Sequence, residues 1–106
     1  MDRAALEARW LELTRVVLPA LASERDWPVS ADHCFQRILL DDAVGGCWYA
    51  HVAERPAYRH LDAAALRHAV TTAEEVAAGT ADLHALNRRS LGYRRKPRST
   101  LPSVDR

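Results

Sequence analysis

In four stretches of this chain, apolar residues recur at, or close to, the spacing of three or four positions that is the repeat of one face of an α-helix. The chain also has 19 alanines against 14 β-branched residues (Val, Ile and Thr), a balance that favours helices over strands. We therefore predict an all-α fold, a small bundle of four to five helices. The stripes are Leu6, Trp10, Leu13 and Val17; Phe35, Ile38, Leu39 and Ala43; Leu66, Ala69, Val70, Ala73, Val76 and Ala77; and Leu83, Leu86 and Leu91.

Residues suited to helix N-termini precede each stripe. Their side-chain oxygens can accept hydrogen bonds from the first N–H groups of a helix, which have no partner within it. We expect Asp32 in the first turn of the second helix, where a negative charge suits the helix dipole. The expected N-caps are Asp2, Ser30, Asp62 and Thr80.

Proline and glycine mark the expected helix ends. Pro19 disfavours α geometry at Leu18, so the first helix should kink or stop there. Gly45 and Gly46 should break the second helix, because glycine is unfavourable within helices. The last helix should cover 81–91. Further expectations are a short helix from Cys47 to about Ala53, a connector at 57–61, and helix ends at Gly79 and Gly92.

Length and composition indicate one helical domain, residues 1–92, and a basic, disordered tail, residues 93–106. Two cysteines are too few for a disulfide scaffold, and no apolar run is long enough to cross a membrane. The mixed charges at the N-terminus lack the apolar centre of a signal peptide, so we expect a cytoplasmic protein that does not associate with membranes.

Charge is distributed unevenly along the chain. Residues 1–53 have five arginines against eight acidic residues, a net charge of −3, whereas residues 54–106 have ten basic against six acidic residues, a net charge of +4. The acidic half of one copy could therefore meet the basic half of a second, which makes a homodimer one expectation. A domain this small also has a marginal core that dimerisation would extend.

The basic excess is concentrated in 88–98, which has six cations and no acid. Such a run can contact phosphates, and a tyrosine within it can stack on a base. We predict a non-enzymatic module that docks on a protein or nucleic-acid partner through this end. The alternative is a solvated helix C-terminus, where cations favour the dipole, followed by a solubilising tail. The predicted contact residues are Arg88, Arg89, Tyr93, Arg94, Arg95 and Lys96.

A second cluster of polar and aromatic residues surrounds Gly45 and Gly46. Arginine suits anions, and tryptophan and tyrosine can stack on a ring. This cluster predicts a site for a small anionic ligand, or an enzymatic site. The alternative is that Arg37 and Asp41, four positions apart, form a helix pair while Trp48 belongs to the core. The candidate residues are Arg37, Asp41, Trp48, Tyr49 and His51.

No pair among the five histidines and two cysteines has a recognised metal-ligand spacing. We expect no metal, no cofactor and no catalytic residue, and we interpret Cys34 and Cys47 as small buried apolar residues.

Scattered positions over nearly the whole chain resemble a group of short uncharacterised bacterial proteins, some with an acetyltransferase-related label. The resemblance implies a subunit related to acetyltransferases. Such enzymes bind coenzyme A with a glycine-rich loop, and the four glycines here lack its spacing, so the activity would come from a partner chain. The positions are Trp10-x-x-Leu13, Phe35-x-Arg37-Ile38-x-Leu40-Asp41, Gly46-x-Trp48-Tyr49, Pro56-Ala57-Tyr58-Arg59 and Leu86-Asn87-Arg88-x-Ser90-Leu91.

Overall fold

In this computed structural model, which describes residues 2–95, helices are joined by turns and loops, and no strand occurs within that range. The all-α prediction is confirmed. Helices α1 (Arg3–Glu12) and α2 (Leu18–Arg25) run on without a break through a π-helical turn, Leu13–Val17. When α1, the π turn and α2 are counted as one helix, residues 2–95 contain five helices. The others are α3 (Asp32–Val44), the single turn α4 (Ala57–His60), α5 (Ala63–Ala78) and α6 (Leu83–Arg94).

The first helix does not stop at Leu18, contrary to one of the two outcomes expected there. Pro19 has no N–H, and in a regular α-helix its ring would clash with the carbonyl of Arg15. The turn before it is wider: the Leu18 N–H donates to the Leu13 carbonyl, five residues back. We attribute the continuation to this π turn, because the wider turn accommodates the proline ring. The helix ends at Asp26, which has a φ of 52°.

Two of the predicted N-caps are confirmed. The Asp2 carboxylate accepts a hydrogen bond from the Ala5 N–H at 2.8 Å, and the Asp62 carboxylate accepts one from the Ala65 N–H at 2.8 Å. Both residues have extended backbone immediately before a helix, as N-caps do.

The expected N-cap at Ser30 is wrong. Ala31 lies at that position without a side-chain hydrogen bond, and α3 begins one residue later. Asp32 is in the first turn, as predicted, and its carboxylate accepts from the His33 N–H at 2.7 Å. The acidic first turn thus satisfies an N–H that a serine cap would otherwise serve.

Thr80 is also not an N-cap. Asp82, two residues later, accepts from the N–H groups of His84 and Ala85 at 3.0 and 3.3 Å. The Thr80 hydroxyl instead donates to the Glu75 carbonyl at the end of α5. Asp82 provides the stronger cap because its carboxylate accepts from two N–H groups at once.

The glycines end two of the three helices as expected. Gly45 and Gly79 have left-handed backbone, with φ of 72° and 84°, and follow α3 and α5 directly. Gly92 does not close the last helix, which runs to Arg94. Tyr93 and Arg94 therefore belong to the helical domain, not to the tail. The rest of the predicted tail from Lys96 onward lies outside the described residues.

Two connections also differ from the sequence prediction. The expected short helix after Gly46 is only a 3-10 turn, Trp48–Ala50. The expected connector at 57–61 contains the one-turn helix α4. Within residues 2–95, no helix is both long and apolar enough to span a bilayer.

Helix α3 lies at the centre of the core, where it contacts both α5 and α6, while the first helix packs against α5. Trp10 and Phe35 are fully buried, whereas Trp27 and Trp48 are half-buried against the core. The predicted stripes therefore supply most of the core, with the exception of Leu91. It is 50% exposed because it lies to one side of the buried face of α6, which Leu83, Leu86 and Ser90 form.

Candidate functional site

A buried carboxylate joins α3 to α6 and to the turn that follows α3. Asp41 is completely buried. One of its oxygens accepts from the backbone N–H of Trp48 at 2.9 Å. The other accepts from the Ser90 hydroxyl at 2.6 Å and from the guanidinium of Arg94, with which Asp41 forms an ion pair. A buried charge is tolerated when it is paired and hydrogen-bonded, as Asp41 is.

Arg37 extends this network to a second polar residue of α6. Its guanidinium donates to the Ser90 hydroxyl at 2.7 Å and to the Asn87 side-chain oxygen at 3.0 Å. The expected Arg37–Asp41 pair is therefore not formed directly: Ser90 lies between the two. Although Arg37 and Asp41 lie four positions apart on α3, the spacing does not make them a pair, because each forms hydrogen bonds with residues of α6 instead.

Sequence reasoning missed Asn87 and Ser90. A signal for Ser90 was present, since it follows Leu83 and Leu86 at helical spacing and so lies on the buried side of α6. A serine at that position requires a polar partner in the core. The buried carboxylate of Asp41 is that partner.

Arg37 and Trp48 also line an open pocket of about 230 Å³. Two further arginines line it, Arg15 of the π turn and Arg55, together with His33 of α3. None of the described residues that line it is acidic. Sequence reasoning missed Arg15, His33 and Arg55, because only the packing of distant segments brings them to one cavity.

The aromatic part of the same pocket consists of Trp10, Trp48 and Tyr58. The Arg55 guanidinium lies 4.7 Å from the centre of the Trp48 ring, within the range of a cation–π contact. The pocket therefore combines positive charge with apolar ring surface.

The remaining members of the predicted ligand cluster lie elsewhere. Tyr49 is 56% exposed, with the Arg94 guanidinium 5.4 Å from its ring centre. A hydrogen bond with the Cys47 side chain is the main cause of a raised pKa at Tyr49. His51 lines a second cavity of about 470 Å³ together with His60. The five residues thus divide among the buried network, the pocket, the surface and this second cavity.

The basic end of the chain is only partly available to a partner. Arg94 is bound to Asp41, so its charge is already paired. Arg88, Arg89 and Arg95 are exposed, and within residues 2–95 none has an acidic partner. Tyr93 is 39% exposed, and Lys96 lies outside the described residues.

Metal and thiol chemistry receive no positive support from the geometry. Among residues 2–95 no group of three or more histidine, cysteine or acidic side chains is arranged to hold a metal ion. Cys34 and Cys47 form no disulfide, and both are half-buried rather than fully enclosed as predicted.

Comparisons with protein-family models, with curated protein sequences and with solved structures gave no match to this chain. The resemblance to acetyltransferase-related proteins therefore stays a prediction, and the site is interpreted from its own geometry.

Proposed function

We propose that this protein is a non-enzymatic module that binds single-stranded nucleic acid through the C-terminal half of α6 and the residues that follow it. One observation carries the proposal: Arg88, Arg89 and Arg95 are exposed, and the described range offers them no acidic partner. Arginine forms paired hydrogen bonds with phosphate oxygens, and counterions released from the nucleic acid favour the contact.

Tyr93 and Arg94 add to this surface in different ways. Tyr93 is four positions after Arg89, so both lie on one side of α6, and its exposed ring can stack on an unpaired base. Arg94 holds the end of α6 against the core through Asp41. The ion pair thereby fixes the helix that presents the other arginines.

The test is fluorescence anisotropy of a labelled single-stranded oligonucleotide at several salt concentrations. The wild-type protein should bind at low salt, and its affinity should fall steeply as salt rises. For Arg88→Ala/Arg89→Ala, loss of two phosphate contacts should reduce the slope of log affinity against log salt by about 1.4. Arg67→Ala removes an exposed arginine from α5 and is the control. No binding at low salt, or equal binding by the double variant, would refute the proposal.

A truncation gives an independent check. Deletion of residues 96–106 removes Lys96 and Arg98 but retains the Asp41–Arg94 ion pair. The truncated protein should unfold like the full chain and bind nucleic acid more weakly. A cut before Tyr93 would instead leave Asp41 without its cation, so weak binding would not distinguish lost contacts from lost structure.

A second candidate is an acidic protein partner, favoured by the exposure of Leu91. This side chain is 50% exposed and lies between Arg88 and Arg95 on one side of the helix. An apolar residue between cations suits a protein surface better than a phosphate backbone. Leu91→Ser should weaken a protein contact and leave oligonucleotide binding unchanged.

Purification of the tagged protein from its own cell, with and without nuclease, distinguishes the two candidates. A partner retained after nuclease but lost with Leu91→Ser supports the protein surface. We propose a cytoplasmic setting for either partner, and we retain the homodimer as a separate proposal tested by light scattering below.

A further inference from the structure

We propose that the arginine-lined pocket binds a small phosphate monoester, with the phosphate held by Arg15, Arg37 and Arg55 and the organic group held by Trp48 and Tyr58. This site is separate from the basic surface of α6. Its lining residues come from α1, from the π turn, from α3, and from the segment around the 3-10 turn and α4.

Charge is the first reason to assign a phosphate. Three arginines line one cavity of about 230 Å³, and its lining residues from the 2–95 range include no acidic side chain. Arg37 donates to two neutral oxygens, those of Ser90 and Asn87, so no carboxylate pairs with it directly. Within residues 2–95, Arg15 and Arg55 have no acidic partner either. A phosphate dianion would supply the opposite charge that these guanidinium groups lack within the described range.

The fixed position of the Arg37 side chain is the second reason to assign a phosphate to this pocket. Its hydrogen bonds to α6 hold the guanidinium in position, so little side-chain entropy is lost when an anion binds. The unused N–H groups of its planar fork remain as donors.

The apolar walls of the pocket are the third reason, because an inorganic anion alone would leave the space beside them unfilled. Trp10, Trp48 and Tyr58 face the cavity together with Leu40. The volume is several times that of a water molecule, about 30 Å³, yet below the roughly 300 Å³ at which drug-sized ligand sites begin. The ligand should therefore carry one small ring or a short apolar group, and a dinucleotide is too large.

Arg55 links the two parts of the pocket. Its guanidinium already lies over the Trp48 ring at 4.7 Å, which places its charge beside apolar surface. A phosphate bound there would contact the cation while its organic group contacts an aromatic wall.

Isothermal titration calorimetry with phenyl phosphate, inorganic phosphate, benzoate and phenol tests the proposal. We expect phenyl phosphate to bind at least about tenfold more tightly than inorganic phosphate or benzoate, and phenol to show no binding, because both charge and ring contribute. No binding of phenyl phosphate at millimolar concentration would overturn the proposal. Equal binding of inorganic phosphate or of benzoate would overturn the ester assignment.

Variants locate the binding site. Arg15→Gln and Arg55→Gln each remove one exposed cation and should weaken phenyl phosphate about tenfold. Trp48→Leu should reduce phenyl phosphate affinity towards that of inorganic phosphate. Arg67→Gln, which changes an exposed arginine outside the pocket, is the matched control and should bind normally. Equal affinity in the wild type, Arg15→Gln and Arg55→Gln, with unchanged thermal unfolding, would refute the assignment.

Discussion

At the residue scale, the Asp41 carboxylate joins α3 to α6 and to the turn that follows α3. It is completely buried and accepts hydrogen bonds from a backbone N–H, a hydroxyl and a guanidinium. The sequence shows an acidic residue that interrupts an apolar stripe, which signals an exceptional position. The sequence does not show which groups donate hydrogen bonds to Asp41. Ser90 and Arg94 are some fifty residues away in the chain and reach Asp41 only after α6 packs on α3.

We predict that Asp41→Ala lowers the free energy of unfolding by about 3 kcal/mol, since it leaves buried donors without an acceptor. Urea unfolding followed by circular dichroism measures the change. Asp42→Ala is the matched control: within residues 2–95 the polar partner of its carboxylate is the exposed His68, at 3.0 Å, so its removal should cost less than about 1 kcal/mol. Similar losses in the two variants would contradict the importance of burial.

A second residue-scale prediction concerns the ion pair between α1 and α5. The Arg9 guanidinium donates to both Glu74 oxygens, at 2.6 and 2.7 Å. These hydrogen bonds lower the pKa of Glu74 and raise that of Arg9. Because the folded-state pKa of Glu74 lies below its unfolded value, about 4.3, the pair stabilises the fold above that pH and loses its contribution as pH falls through the folded value.

Glu74→Gln should therefore reduce stability at pH 7 by at most about 1 kcal/mol, since both side chains are partly exposed. The difference from wild type should shrink as pH falls below about 4.3 and then through the lower folded-state pKa of Glu74, where its carboxylate becomes protonated. Chemical unfolding across this range is the measurement, with exposed Glu75→Gln as control. A difference that stays constant with pH would contradict the role of the ion pair.

At the element scale, the sequence predicts which segments are helical better than it predicts where they end. The apolar stripes of α1, α3 and α5 identify those helices, because burial of one face dominates local preferences. The error at Thr80 arises because two capping residues lie close together and only the geometry selects Asp82. The error at Gly92 arises because tertiary contact of Arg94 with Asp41 extends α6 past a residue that favours an end.

Two glycine substitutions follow from these helix ends. Gly92 lies within α6, and a Cβ there would meet no atom within 4 Å. Gly92→Ala should therefore stabilise the protein by about 0.5–1 kcal/mol. Gly79, with φ of 84°, ends α5 in a left-handed conformation, so Gly79→Ala should destabilise by about 1–2 kcal/mol. Thermal unfolding should show shifts of opposite sign, and shifts of the same sign would contradict the helix end points.

At the scale of the whole molecule, the opposite charges of the two halves predict an association that depends on salt. If the acidic half of one copy contacts the basic half of another, the dimer should be populated at low salt and dissociate as salt screens the charges. Light scattering at low and high salt measures this directly. Arg88→Ala/Arg89→Ala should shift the equilibrium towards monomer at low salt, and a monomer under both conditions would exclude the homodimer.

The buried Asp41 also affects how mutational data on this protein should be interpreted. Its carboxylate holds the backbone of Trp48, which lines the pocket, and the Arg94 side chain, which positions the basic end. Under the two binding proposals, a substitution scan scored only by binding would show Asp41 as essential for both the proposed phosphate ester and the proposed nucleic acid, although Asp41 is in neither set of proposed contact residues. Each variant's binding should therefore be measured at a temperature well below its own unfolding midpoint.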